Sequence, residues 1–390
     1  MPQAYIAAAV RTAGGKRGGR LSGWHPVDLA AQVLDALVAR AGIDPAQVED
    51  VIMGCVSQAG EQAGNIARNA VLASGLPQSV PGVSIDRQCG SSQQALQFAA
   101  QAVMSGTMDV VIAAGVESMT RTPMGTPIVW PAKAGLGTYK SPGLEARFPG
   151  IEFSQFDGAE MLAVKHQLTR DQLDRYALAS HEKAATASKA GAFKDEVLPI
   201  PIETEDGGAG IHEIDEGIRF AASLEAIASV KLLREGGRLS AASASQITDG
   251  AAGLLVTNER GLNAMQIEPL ARIHQLSVIG GDPVIMLETP IAATALALAR
   301  AGMSIDEIDL FEVNEAFASV PLAWLEQTWA DPKRLNVNGG AIALGHPLGA
   351  SGAKLMTTLV HALRQRKKRW GLLTMCEGGG LANATIVERL

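Results

Sequence analysis

The chain has 390 residues, 47% of them hydrophobic and only 4% aromatic, so small aliphatic side chains must fill a core that exceeds one ordinary lobe. The formal net charge of -7 argues against a general electrostatic interaction with nucleic acid or with an anionic membrane, because both need clustered positive charge. Three cysteines are too few for a disulfide framework and are not spaced as metal ligands, and no targeting segment or membrane span is recognisable. We therefore expect free thiols, no bound metal and a cytoplasmic location.

The first predicted unit is a helix followed by a strand. Residues 29–42 read LAAQVLDALVARAG, an alanine-rich helical pattern that ends at a glycine. After a turn, residues 48–54 (VEDVIMG) predict a short strand that ends just before Cys55. We interpret Cys55 as a small buried residue, because free cysteine commonly has that role.

The second predicted unit carries Cys89. Residues 83–86 predict a strand, QCGSS follows at residues 88–92, and a helix is predicted to about Met104 before a strand at residues 110–115. Cys89 thus precedes a helix, where unpaired N–H groups and the helix dipole favour an anion, so we expect a lowered thiol pKa. A thiolate at this position is a good acyl acceptor.

The middle of the chain departs from this alternation. Residues 120–248 contain proline- and glycine-rich pieces, predicted helices at 159–165 and 170–190, and an acidic, glycine-rich stretch. We interpret this segment as an inserted domain that covers the substrate. Residues 1–119 and 249–270 then form the N-terminal lobe.

The C-terminal lobe, residues 271–390, repeats the order of the first. Residues 292–302 predict a helix ending at a glycine, and residues 310–314 (LFEVN) predict a strand ending at Asn314. Residues 335–338 then lead to the loop of His346, a helix to about Leu363, and a strand that ends before Cys376. The duplication predicts an α/β fold of two mixed sheets with helices, related by a pseudo-twofold axis, whose reactive groups meet between the lobes.

Four motifs, in this order and at these separations, resemble those of the thiolases, which are the acetyl-CoA acetyltransferases and 3-ketoacyl-CoA thiolases. They are QCGSS at residues 88–92, NEAF at 314–317, GHPLGASG at 345–352 and CEGGG at 376–380, and the resemblance covers essentially the whole chain. It implies an acyltransferase of fatty-acid metabolism and β-oxidation that passes an acyl group between a cysteine and CoA. The direction is thiolysis of a 3-ketoacyl-CoA or the reverse Claisen condensation with acetyl-CoA. Acyl-CoA is then a substrate, with no tightly bound cofactor, and the enzyme a homodimer or homotetramer.

The resemblance also assigns roles to individual residues. Cys89 would carry the acyl group, His346 would activate it as a base, and Cys376 would move a proton at the α-carbon of acetyl-CoA. The N–H groups of Cys89 and Gly378 would form an oxyanion hole for the tetrahedral intermediate. His346 and a water held by Asn314 would form a second oxyanion hole for the thioester enolate.

Substrate contacts are matched more loosely. Arg219 resembles the arginine that contacts CoA, and Ser245 resembles the serine that contacts the pantetheine arm. Short-chain acetoacetyl-CoA thiolases carry a His-Met pair where this chain has Ser154 and Gln155. This difference argues against acetoacetyl-CoA and indicates a longer or bulkier acyl group, whereas the sequence defines no role for Glu377.

Three other functions are compatible with parts of this pattern. A papain-like cysteine hydrolase also uses Cys, His and Asn, but there the histidine precedes the asparagine, whereas Asn314 precedes His346 here. A decarboxylating condensing enzyme acting on thioesters needs no second thiol, so Cys376 argues against it. A non-catalytic acyl-CoA binder would not need all four reactive positions.

Overall fold

The computed structural model describes residues 2–204 and 206–390. The strands are β1 (Ala4–Thr12), β2 (Gly15–Lys16), β3 (Asp50–Gly54), β4 (Gly82–Ile85), β5 (Val110–Ser118), β6 (Val197–Leu198), β7 (Ile200–Glu203), β8 (Ala209–His212), β9 (Thr248–Thr257), β10 (Ala271–Gly280), β11 (Leu310–Val313), β12 (Trp370–Glu377) and β13 (Leu381–Arg389). The α-helices are α1 (Pro26–Ala41), α2 (Ile66–Ala73), α3 (Ser91–Ser105), α4 (Thr126–Lys133), α5 (Pro142–Arg147), α6 (Gln155–Lys165), α7 (Arg170–Lys189), α8 (Leu224–Ala228), α9 (Glu259–Met265), α10 (Thr289–Ala301), α11 (Ser319–Thr328), α12 (Ala341–Leu344) and α13 (Ser351–Gln365).

The two lobes share one strand order. The main sheet runs β11-β12-β13-β10-β1-β9-β5-β3-β4, so β3, β5, β9 and β1 of the first lobe correspond to β11, β12, β13 and β10 of the second. The duplication and the mixed α/β fold predicted from the sequence are thus confirmed. The predicted two sheets differ from the structure in one respect, because β1 and β10 pair antiparallel over three residues and join them edge to edge.

Local sequence explains the repeated helices. In α1, Pro26 occupies the first turn, where its missing N–H costs nothing, and Gly42 ends the helix with a left-handed φ of 64°. Leu29, Val33 and Leu37 form its buried face against β9. The helix α10 ends in the same way, at Gly302 with φ 65°.

The two central helices, α3 and α13, pack against each other inside the molecule. An added Cβ on Gly352 would lie 2.2 Å from the backbone nitrogen of Gln93, so only glycine permits this approach. Ser92 Oγ on α3 accepts a hydrogen bond from the N–H of Ala353 on α13 (2.9 Å). The starts of these two helices carry the Cys89 and His346 loops, so their contact sets the distance between the loops.

The repeat is imperfect at residues 335–338, which correspond to β4. They form no regular strand, and only isolated parallel bridges occur there, from Leu335 to Phe311 and from Val337 to Gly339. Asn336 has a left-handed φ of 42°, and its side-chain amide takes the place of a strand residue. It accepts a hydrogen bond from the N–H of Val313 and donates one to the Val313 carbonyl, both at 2.9 Å.

The segment between β5 and β9 contains helices α4 to α8, the β7–β8 hairpin and the short β6. The predicted helices at residues 159–165 and 170–190 are confirmed as α6 and α7. Strand β6 pairs parallel with β1, so this segment is tied into the main sheet. Among the described residues, no helix has the length and apolar character that crossing a bilayer requires.

Candidate active site

The loop that presents Cys89 is a tight turn between β4 and α3. Gln88 adopts a left-handed φ of 50°, which is uncommon for a residue with a side chain. The N–H of Gln88 donates to Asp86 Oδ1 (2.7 Å), and the hydroxyl of Ser91 donates to the Gln88 carbonyl (2.6 Å). These contacts hold Cys89 directly before the first turn of α3.

The ionisation of Cys89 differs from the prediction made from the helix start. Burial raises the pKa of the Cys89 thiol to about 12, with a further contribution from the negative charge of Glu377. The predicted lowering of this pKa is therefore wrong for the free enzyme, because burial outweighs the helix start. The thiol is protonated at rest and needs a base to become a nucleophile.

Cys376 lies beside Cys89. It is buried in β12, and burial together with the neighbouring Cys89 thiolate raises its pKa well above the usual value. The segment that follows it touches the Cys89 loop, since an added Cβ on Gly378 would lie 2.9 Å from Gln88 Oε1. Both thiols and the Gly378 backbone are thus brought together from opposite lobes, as predicted.

His346 is held in one tautomer. Its Nδ1 is 2.5 Å from the hydroxyl of Ser351, and that hydroxyl donates to the Pro347 carbonyl (2.8 Å). The serine oxygen must then accept from Nδ1–H, which leaves Nε2 without a proton and free to act as a base. Burial lowers the pKa of His346 to about 3, so the imidazole is neutral at rest.

Asn314 faces the free nitrogen of this imidazole. Its side-chain Nδ2 donates to His346 Nε2 at 3.4 Å, while its Oδ1 is buried and without a hydrogen-bond partner among the described residues. Behind it, the Glu315 carboxylate accepts hydrogen bonds from Tyr176, Ser180, Asn336 and Ile342. These hydrogen bonds fix the backbone next to Asn314, and its Oδ1 remains an acceptor that could bind a water.

The role of Ser351 leads to a testable prediction. Ser351→Ala removes the acceptor for Nδ1–H and lets the other tautomer form, so we expect kcat to fall about 10–100-fold, less than the full general-base contribution of about 10²–10⁴-fold because the imidazole itself remains. The measurement is the pH profile of kcat, in which the limb that reports the base should also shift. Ser277→Ala is the matched control, because Ser277 is equally buried but its hydroxyl has no hydrogen-bond partner within residues 2–204 and 206–390, so the kcat of this variant should stay within about twofold.

A buried lysine supports the His346 loop. Lys354 Nζ donates to the Leu344 carbonyl and lies 3.4 Å from both the Gly345 carbonyl and Asp215 Oδ1. Its positive charge is the second cause, after burial, of the lowered pKa of His346. The sequence analysis missed this residue, although a charged side chain within the apolar pattern of α13 is a usable signal.

The same network anchors the predicted CoA-binding segment. Asp215 accepts from both terminal nitrogens of Arg11 (2.9 and 3.1 Å) and from the N–H of Gly14 (2.7 Å). The positive charges of Arg11 and Lys354 hold the pKa of Asp215 down to about 2, despite its burial. Arg11, on β1, also pairs with Glu196 at 2.6 Å. Through Asp215, the network reaches from β1 to the segment that bears Arg219.

The two residues predicted to contact CoA differ in exposure and in their hydrogen-bond partners. Arg219 is exposed, and its backbone N–H donates to His181 Nδ1 (3.2 Å). Ser245 is half-buried and lies close to the catalytic groups, since its N–H donates to the Ala316 carbonyl (2.9 Å), two residues after Asn314. The next residue, Gln246, accepts from the N–H of His346 (3.2 Å).

The positions that replace the short-chain His-Met pair begin α6. Ser154 caps this helix by accepting from the N–H of Asp157 (3.2 Å). Gln155 Nε2 contacts Met124 Sδ at 3.4 Å. The following Phe156 is 45% exposed and packs edge-on against Phe317, with ring centroids 5.6 Å apart.

Comparison with known proteins agrees with this geometry. Residues 4–260 match the thiolase N-terminal domain, and residues 267–389 match the thiolase C-terminal domain. A steroid 3-ketoacyl-CoA thiolase, FadA6 of Mycobacterium tuberculosis, is 52% identical over 395 aligned residues, covering 100% of this chain and 95% of that protein. A 3-ketoacyl-CoA thiolase of Serratia proteamaculans is 38% identical, with 100% of both chains covered.

A solved structure shows the same fold. The crystal structure of the Bacillus anthracis acetyl-CoA acetyltransferase superposes with a TM-score of 0.91 at 35% identity, covering 100% of this chain and 99% of that one. The two domain matches, the full-length relatives and this superposition agree with one another. The chain belongs to the thiolase family and is an acyltransferase that uses CoA thioesters.

Proposed function

We propose that this thiolase cleaves 3-ketoacyl-CoA thioesters whose acyl group is bulky, of the steroid-derived kind named for its relative FadA6. The observation that carries the proposal is the exposed ring of Phe156, which packs on the buried Phe317 of the NEAF motif. The preceding residue, Gln155, contacts Met124. An exposed aromatic ring on a buried one suits a large hydrophobic acyl group, because such rings provide extensive contact area.

The first half of the reaction breaks the bond between C2 and C3 of the substrate. His346 Nε2 takes the proton of the Cys89 thiol, and the thiolate attacks the 3-keto carbon. The N–H groups of Cys89 and Gly378 stabilise the resulting oxyanion. When the bond breaks, the shortened acyl group stays on Cys89 and the acetyl-CoA enolate takes a proton from Cys376.

The enolate oxygen needs its own donors. His346, now protonated at Nε2, donates to it together with a water held by Asn314, whose unpartnered Oδ1 supports this role. In the second half, the thiol of a new CoA loses its proton to the Cys376 thiolate and attacks the acyl group on Cys89. The bond between the acyl group and Cys89 then breaks, and the Cys89 thiolate takes its proton back from His346. Arg219 and Ser245 hold the CoA, and no tightly bound cofactor enters the reaction.

We also propose an oligomeric assembly and a role for each domain. Ile128, Val129 and Trp130 on α4 are exposed apolar side chains, which supports association of this chain into a homodimer or homotetramer. Residues 120–248 cover the substrate, between the lobes formed by residues 1–119 with 249–270 and by residues 271–390. Catalysis through two thiols suits the reducing cytoplasm.

The experiment is a comparison of thiolysis across 3-ketoacyl-CoAs that differ only in the acyl group. We expect kcat/KM for a polycyclic 3-ketoacyl-CoA to exceed that for acetoacetyl-CoA by at least about tenfold, since buried apolar area increases the binding energy. The matching acyl-CoA without the 3-keto group is the control and should not react. A preference for acetoacetyl-CoA would contradict the proposed substrate class and leave the thiolase assignment intact.

A further inference from the structure

Glu377 lies at the junction of the two catalytic segments. It is the last residue of β12, directly between Cys376 and Gly378 in the sequence. Its side chain has 0% relative exposure, and its carboxyl group rests on the Cα of Gly90, where an added Cβ would lie 1.8 Å from Oε1. The carboxyl group is therefore buried beside the backbone of both reactive cysteines.

The surroundings of this carboxyl group suit its neutral form. Neither of its oxygens has a hydrogen-bond partner among the described residues. Asn383 on β13, opposite Met375, also has a buried, unpartnered acceptor in its Oδ1. A buried carboxylate without donors is costly, whereas a protonated carboxyl group has no charge to desolvate.

Neighbouring groups change the pKa of Glu377, and the charge of Glu377 changes the pKa of the two thiols. Burial raises the pKa of Glu377 to about 8; the Arg87 guanidinium lowers it by less, and so does the nearby N–H of Asn383, whose geometry falls short of a hydrogen bond. In turn, the negative charge of an ionised Glu377 raises the pKa of both Cys89 and Cys376. Two further carboxylates, of Asp86 and Glu117, oppose the Cys89 thiolate from other elements.

We propose that Glu377 is a positioning residue that supports the reaction as a neutral carboxylic acid, and that its ionisation suppresses thiolate formation at both Cys89 and Cys376. When neutral, it fills the space between β12 and the start of α3 without adding charge. When it loses its proton to solvent, a third carboxylate faces the Cys89 sulfur, in addition to those of Asp86 and Glu117. This inference rests on the roles of the two thiols in the proposed function.

The expected pH dependence follows from the sign of the shift. Below a pH of about 8 Glu377 is neutral, and the thiolate fraction of Cys89 rises about tenfold per pH unit. As Glu377 ionises around that pH, its new negative charge raises the pKa of Cys89, so the rise becomes shallower there and then resumes at a lower thiolate fraction. The break should disappear in Glu377→Gln, which keeps the shape of the side chain but cannot ionise.

The experiment measures alkylation of Cys89 by iodoacetamide, quantified on the Cys89 peptide by mass spectrometry, from about pH 6 to pH 10. We expect the wild-type rate to bend near pH 8 and the Glu377→Gln rate to keep rising, until the variant reacts about tenfold faster at the alkaline end. At neutral pH the two rates should agree within about threefold. Superimposable profiles for the two proteins would overturn the inference.

A second variant tests the same idea without changing the buried site. Arg87 is only half-buried, and its charge lowers the pKa of Glu377, so Arg87→Gln should move the bend to higher pH. A bend that stays in place would count against Glu377 as its origin, even if Glu377→Gln failed to fold. Loss of acyl-enzyme formation in the wild type would instead contradict the proposed function, so the two failures are distinguishable.

Thermal stability gives an independent readout. Because the pKa of Glu377 is raised from 4.5 to about 8 on folding, the unfolded state loses this proton first, and wild-type stability falls as the pH rises between those values. Glu377→Gln lacks this loss. The Tm of the variant minus that of the wild type should therefore increase from pH 5 to pH 8, and a constant difference would contradict burial of an ionisable carboxyl group.

Discussion

Cys89→Ala is expected to abolish acyl-enzyme formation and to lower kcat by at least about 10⁴-fold, as for other enzymes that lose a covalent nucleophile. The physical reason is that no other sulfur can replace it. The other two thiols, Cys376 in β12 and Cys55 after β3, do not lie at the start of α3, where the turn presents the acyl acceptor. The measurement is mass spectrometry of the protein after mixing with acetyl-CoA, in which the wild type gains one acetyl group and the variant gains none.

Cys55→Ala is the matched control for this prediction. Cys55, like Cys89, is a buried free thiol with a raised pKa, but it lies outside the four motifs and has no assigned role in the chemistry. The control should acetylate fully and keep kcat within about threefold of the wild type. Acetylation of the Cys89→Ala protein at another residue would show that the nucleophile is misassigned.

Cys376→Ser should separate the two halves of the reaction. The variant keeps Cys89 and His346, so it should still take an acetyl group from acetyl-CoA. The serine hydroxyl ionises far less readily than a thiol and cannot move the α-proton, so we expect turnover to fall about 10²–10⁴-fold. The measurement is exchange of the methyl protons of acetyl-CoA with deuterated water, followed by NMR.

The control for this variant is the acetylation step itself. If acetylation of Cys89 were also lost, the substitution would have disturbed the site, because the two segments touch through Gly378 and Gln88. Exchange at the wild-type rate in an acetylated Cys376→Ser protein would remove the assigned role of Cys376. Another base, with Glu377 as the nearest candidate, would then have to move the proton.

Much of the secondary structure could be predicted from the local sequence. The alanine-rich pattern and the terminal Gly42 predicted α1, and the equivalent pattern predicted α10, because such signals act within a few residues. The sequence did not reveal that residues 335–338 lack a regular strand. Asn336 has a left-handed backbone there, and its side-chain hydrogen bonds to Val313 of β11 replace strand pairing. The joining of β1 to β10 likewise depends on residues more than 260 positions apart, such as Ala4 and Ile273.

By itself the sequence determined the reaction class, through the resemblance of its four motifs to those of the thiolases, and the duplicated lobes, through helix and strand periodicity, because both signals are local properties of the chain. The same resemblance predicted the set Cys89, His346, Cys376 and Asn314. Only the tertiary structure decided how these groups are ionised. The raised pKa of Cys89, the Nδ1–H tautomer of His346 and the neutral Glu377 depend on burial and on charges from distant elements. Desolvation and Coulomb interactions act through space, so they arise only when the lobes have packed together.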